Sequence, residues 1–142
     1  MTHISLLVKT IMSQPTRPRI LVVDDELVIA ATLASILDSQ GFDAKAYTDA
    51  FEALKAARDK APDLLICDVM MPSMSGIELA IEVQKFCDNC KVLLFSGQAA
   101  TVDLLRVARA QGHDFELILK PIHPCDLLRR IQQAFDSVPQ QA

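Results

Sequence analysis

Along the chain, short uninterrupted apolar runs take turns with segments whose apolar residues recur at helical spacing. The first run, Ile20–Val23, contains no polar residue. Ile29, Leu33, Ile36 and Leu37 then follow on one face of a 3.6-residue period that Gly41 closes. A weaker strand, Phe42–Tyr47, leads to Asp49, a helix N-cap with Glu52 three residues on in capping-box position. Pro62 ends that helix, and Leu64–Cys67 is the third strand. Ser75-Gly-Ile-Glu78 opens the third helix as a capping box, Val92–Phe95 is the fourth strand, and Ala99–Ala110 is the fourth helix, stopped by Gly112. Phe115–Leu119 is the fifth strand. Pro124 then stands in the first turn of a last helix with Leu127, Leu128, Ile131 and Phe135 on one side.

The runs ILVV, LLIC and VLLF show no polar alternation, so each predicts a strand buried on both faces, as in a parallel sheet covered by helices. Five such β-α units predict a three-layer, doubly wound (βα)5 α/β fold. Right-handed crossovers leave few topologies, and the flavodoxin-like order 2-1-3-4-5 is a leading one.

Length and composition agree with one globular unit: 142 residues, 51% hydrophobic and 23% charged. We divide the chain into an N-terminal tail (1–17) ending in the linker-like Pro15-Thr-Arg-Pro18, a domain (18–136) and a C-terminal tail (137–142). Met12 would itself make a natural start, and the residues before it equally suit a short amphipathic helix. The formal net charge of −4 and the lack of a Lys/Arg run give no basic footprint for nucleic acid. No run approaches the ~20 apolar residues needed to span a bilayer, and Ile4–Met12 is short and interrupted by Lys9. A cytoplasmic protein, monomeric or weakly dimeric, is the expectation. Cys67 lies in an apolar run and reads as buried, and Cys125 sits alone. Cys87 and Cys90 form a C-x-x-C without a second pair to complete a zinc set. They read as two ordinary thiols at solvent-facing positions, replaceable by Ser at little cost.

In a doubly wound sheet, ligands bind outside the carboxyl ends of the strands. Strand one ends there in Asp24-Asp25, strand three in Asp68, strand four in Ser96 and strand five in Lys120-Pro121. Each has a bland reading alone: a helix cap, a turn residue, a surface lysine. Together they cluster like charges in one crevice, which costs stability unless a cation offsets it. Mg²⁺ suits two or three carboxylates with room for waters. An aspartate can then act as a nucleophile toward phosphorus, with Lys120 and Ser96 holding phosphoryl oxygens.

The set ILVVDDE, LLICDVMMPSMSGIEL, VLLFSG and LKPI, at these spacings over roughly Arg19–Phe135, resembles the receiver domain of two-component response regulators. The resemblance implies that Asp68 is the phosphoacceptor and that Asp25 and Asp68 bind Mg²⁺ directly, with Asp24 acting through water and the Met70 backbone carbonyl completing the ligands. It also implies that Ser96 is the switch hydroxyl, that Lys120 is the phosphoryl-binding lysine, and that the Lys120-Pro121 bond is cis. The implied partners are a sensor histidine kinase or histidine phosphotransfer protein, and a downstream protein read through the face of helix four, strand five and helix five. With only SVPQQA after Phe135, a stand-alone regulator acting in trans is expected. Two departures stand out: Leu117 occupies the place of the family's strand-five aromatic, with Phe115 two residues earlier, and one extra residue separates Gly112 from Lys120.

Three rival readings fit less well. A haloacid-dehalogenase-type phosphatase wants a D-x-D at one strand end, which Asp24-Asp25-Glu26 does not supply. A nucleotide- or flavin-binding relative wants glycine-rich loops, and the chain has four glycines in all. A phosphorylation-independent interaction module would not need Asp25, Asp68, Ser96 and Lys120 all intact.

Overall fold

The computed structural model describes residues 17–97 and 101–136. In chain order the elements are β1 (Arg19–Val23), α1 (Leu27–Ser39), β2 (Asp43–Tyr47), α2 (Ala50–Asp59), β3 (Leu64–Asp68), α3 (Gly76–Gln84), β4 (Lys91–Ser96), α4 (Thr101–Ala110), β5 (Glu116–Leu119) and α5 (Pro124–Asp136). The five strands are all parallel in the order β2-β1-β3-β4-β5, the predicted topology. The first residues expected of the fourth helix, the N-terminal tail up to residue 16 and the C-terminal tail lie outside the described residues. Among the described residues no helix is long and apolar enough to cross a membrane.

Because β1, β3 and β4 are apolar on both faces, the sheet carries two cores. On one side Ile20, Val22, Ile66 and Phe95 pack against α1 and α5. On the other, Leu21, Val23, Leu65 and Leu94 pack with residues of α2, α3 and α4. The local signals hold α3 as written: the Ser75 hydroxyl accepts the Glu78 N–H, and Glu78 accepts the Ser75 N–H in return. At α2 the cap is one-sided. Asp49 accepts the Phe51 N–H, while among the described residues Glu52 returns no bond. Gly41 and Gly112 end α1 and α4 at φ of +99° and +94°, the left-handed backbone that favours glycine.

Two expectations need correction. The buried stripe of α1 is Ala30, Ala34 and Leu37, whereas Ile29 is 39% exposed and Leu33 and Ile36 are half-buried. Alanine lets a helix axis approach a sheet closely, so Ala30 and Ala34 take the core beside Leu37, with Leu33 packed at its edge and Ile29 turned outward. The second correction concerns Cys90, which is 2% exposed, while Cys87 is half-buried with its thiol toward the Pro62 carbonyl. Neither is solvent-facing. Burial, and next the adjacent Cys87, push the Cys90 thiol up to about 12, and burial raises Cys67 further still. Since the thiolate is the nucleophile, alkylation of the folded protein near pH 8 should label exposed Cys125 first. Cys67 and Cys90 should react only on unfolding, as peptide mapping would show. Fast labelling of Cys90 in the folded protein would mean that its turn opens. Cys90→Ser, which buries a hydroxyl in this core, should cost about 1–3 kcal/mol in denaturant unfolding.

Candidate functional site

The carboxyl ends of β1, β3 and β5 converge, and the chain places an acid or a base at each. Asp24 directly follows β1, with its N–H on the Tyr47 carbonyl, and is 2% exposed. Its Oδ1 accepts the Glu26 N–H at 2.9 Å, which fixes the turn into α1. Asp68, the last residue of β3, accepts the Met70 N–H on Oδ1 at 3.3 Å. Asp25 stands exposed at the mouth. One carboxylate oxygen from each of Asp24, Asp25 and Asp68 lies within 4.8 Å of the others.

Lys120 crosses to this cluster from β5. Its backbone N–H donates to the Ser96 carbonyl at 2.9 Å, and the Lys120-Pro121 bond is cis. The ammonium Nζ lies 3.3 Å from Asp24 Oδ2 and 3.3 Å from Asp68 Oδ2, bridging the two. One ammonium therefore offsets part of three negative charges. Burial raises the Asp68 carboxyl pKa; the nearby Lys120 charge opposes this and Asp24 adds to it, leaving it above the ordinary range. Burial works against the Lys120 ammonium, but the charges and hydrogen bonds of Asp24 and Asp68 outweigh it and raise its pKa.

Ser96 is fully buried at the end of β4. Met70 is exposed on the loop after Asp68. Leu117 is half-buried and packs on the same core as Phe115, which is buried and stacks on His113. Sequence reasoning missed two features. One is the direct bond from Lys120 to Asp24. The other is Gly76, whose N–H donates to the Val69 carbonyl at 2.9 Å and where a Cβ would sit 2.2 Å from the Asp68 carbonyl oxygen. The pattern of Asp68 followed eight residues later by Gly opening a helix was the available signal for the second.

Residues 20–132 match the family model of the response regulator receiver domain. The chain belongs to that family. Receiver domains are phosphoacceptor modules of two-component signalling rather than enzymes of the usual kind. Among relatives, the DNA-binding response regulator MtrA of Mycobacterium tuberculosis (strain H37Rv) is 34% identical over 116 residues, covering 82% of this chain and 50% of MtrA. The chain thus spans about half the length of the curated relatives it matches. Among solved structures, a CheY-like receiver domain protein from Methanospirillum hungatei JF-1 superposes with a TM-score of 0.77 at 28% identity, covering 86% of this chain and 96% of that one. The response regulator TrrA from Thermotoga maritima, in complex with Mg²⁺-BeF, gives 0.70 at 30% identity, covering 82% and 98%.

Proposed function

We propose that this receiver domain accepts a phosphoryl group on Asp68 from a histidine kinase or histidine phosphotransfer protein, in a Mg²⁺-dependent phosphorelay. The observation that carries the reading is the position of Lys120 Nζ, 3.3 Å from Asp68 Oδ2 at the strand ends. An Asp68 oxygen attacks phosphorus, the bond from phosphorus to the donor's imidazole nitrogen breaks, and an acyl phosphate forms on Asp68. Lys120 holds a phosphoryl oxygen as a point charge, and Ser96 offers its hydroxyl to another. The three-carboxylate cluster fits a hard divalent cation by donor type and charge. Asp25 and Asp68 would hold it, with Asp24 behind them and the Met70 carbonyl completing the protein ligands. When bound, it supplies charge neutralisation for the transferring group. The downstream partner would read the α4–β5–α5 face.

Incubation with a small acyl phosphate and Mg²⁺ should add one phosphoryl group, mapped by mass spectrometry to Asp68. No adduct would refute the reading, and repeated turnover of a phosphomonoester would favour a phosphatase instead. Mg²⁺ alone at about 100 times its Kd should stabilise the fold by about 2.7 kcal/mol, a rise in Tm of roughly 5–10 °C. Asp25→Asn should lose most of that rise. An equal rise in the variant would remove Asp25 from the metal site.

Leu117 bears on output. An aliphatic side chain packed in the core has no ring to swing and no polar tip to expose. The response to phosphorylation should therefore concentrate in the loop after Ser96 and the start of α4. Backbone amide shifts with and without beryllofluoride test this. Changes throughout β5 and α5 as large as those near Asp68 would show that Leu117 or Phe115 does switch.

A further inference from the structure

The turn between α3 and β4 carries a C-x-x-C, Cys87-Asp88-Asn89-Cys90. The Cys90 N–H donates to the Cys87 carbonyl at 3.2 Å, which closes these four residues into a β-turn. Such a turn holds its two outer Cα atoms within about 7 Å, and a disulfide spans about 4.4–6.8 Å between Cα atoms. Both side chains pack on the core shared by α2, α3 and α4, with their thiols in hydrogen-bonding reach of one another. Each thiol also faces a backbone carbonyl, Cys87 that of Pro62 at 3.6 Å and Cys90 that of Lys91 at 3.4 Å. Their exposure differs: Cys87 is half-buried, whereas Cys90 is 2% exposed. One sulfur thus meets solvent, and the other stands behind it.

We propose that Cys87 and Cys90 form a reversible oxidation site, converted by small disulfides of the glutathione type into an intramolecular disulfide that clamps the turn. The Cys87 thiolate attacks one sulfur of the small disulfide, whose S–S bond breaks and releases a first thiolate. The Cys90 thiolate then attacks Cys87 Sγ in the mixed disulfide and expels the second. The protein loses two electrons and two thiol protons, and the small disulfide becomes two thiols, so the exchange balances. A reduced dithiol runs it backward. Burial, and next Cys87, hold the Cys90 thiol up to about 12, so little of it is ionised at neutral pH. Intramolecular attack at contact offsets that scarcity, and a thiolate of high pKa is intrinsically the stronger nucleophile.

The pair stands well away from the acidic site. Asp68 aligns with Phe95 of β4, five strand residues or about 17 Å from Cys90. Nothing in the exchange uses Asp68 or Lys120, so the site does not depend on phosphoryl transfer. An oxidant would be sensed at the sheet edge opposite Asp68.

The test uses the full chain carrying Cys125→Ser, which removes an exposed thiol. It is incubated in the folded state with oxidised glutathione, acid-quenched and peptide-mapped. A Cys87–Cys90 disulfide should form, two hydrogens lighter than the dithiol, with little glutathione retained, and dithiothreitol should reverse it. Deuterium exchange of the Cys90 amide should slow several-fold on oxidation, because the crosslinked turn no longer opens. With Cys90→Ala added, which keeps the core apolar, glutathione should instead stay on Cys87. With Cys87→Ser added, the turn should take up none. Equal glutathione on Cys87 with and without Cys90, and no internal disulfide, would overturn the proposal. So would uptake in the Cys87→Ser protein, or a disulfide that joins Cys67 or appears only in denaturant. An oxidised turn whose Cys90 amide exchanges as fast as before would overturn the clamp.

Discussion

Asp68→Asn should remove covalent labelling by a small acyl phosphate, and Lys120→Gln should slow it by about 10²–10³-fold, the usual cost of losing one preorganised donor to a developing charge. The two losses differ in kind. Asp68 carries the bond that forms, so nothing in the variant can replace it at that position. Lys120 acts through its ammonium, 3.3 Å from both Asp24 Oδ2 and Asp68 Oδ2. Removing that charge also exposes the carboxylates to one another, so the variant should be less stable where the carboxylates are ionised. Lys120→Arg should rescue poorly, because a planar fork does not occupy a site built for a compact point charge. Single-turnover labelling at fixed Mg²⁺ measures all three variants. Wild-type rates in Lys120→Gln would show that Lys120 only balances charge in the resting state.

Much of this was legible because the residues concerned are ones whose burial leaves little choice. ILVV, LLIC and VLLF admit no polar face, so a central parallel sheet followed, and with it the edge where Asp24, Asp25, Asp68, Ser96 and Lys120 had to meet. The α1 stripe was read in part: Leu37 is buried and Leu33 packs on the core as expected, but hydrophobic periodicity weights large residues, whereas packing distance also brings in Ala30 and Ala34. Cys90 was misread for a related reason. A polar turn, Asp88-Asn89, precedes it, yet its side chain closes the lower end of the α2–α3 core. Which carboxylates Lys120 would bridge depends on side-chain reach across three strands, and strand order alone does not encode that.

The tightest constraint on Asp68 comes from across the loop. Gly76, the first residue of α3, lies so close to the end of β3 that a Cβ would be 2.2 Å from the Asp68 carbonyl oxygen, 2.9 Å from its carbonyl carbon and 3.1 Å from the Val69 Cα. All three are backbone atoms, so no side chain can swing aside to make room. Helix propensity favours alanine over glycine by at most about 1 kcal/mol, and less at a first-turn position. Overpacking against fixed atoms costs about 1–3 kcal/mol, so Gly76→Ala should be destabilising on balance. Relief must come from moving α3 or the backbone of Asp68 itself. A displacement of about 1 Å at a reacting group costs about 10²-fold in rate, so labelling of Asp68 should fall steeply even in the folded fraction. Gly97→Ala is the internal control. Its Cβ would meet Lys120 Cβ at an ordinary 3.9 Å, at the same edge of the sheet, so it should fold and be labelled far more nearly as wild type. Denaturant unfolding and single-turnover labelling of both variants decide the matter, and equal behaviour of the two would mean that the β3–α3 loop yields without moving Asp68.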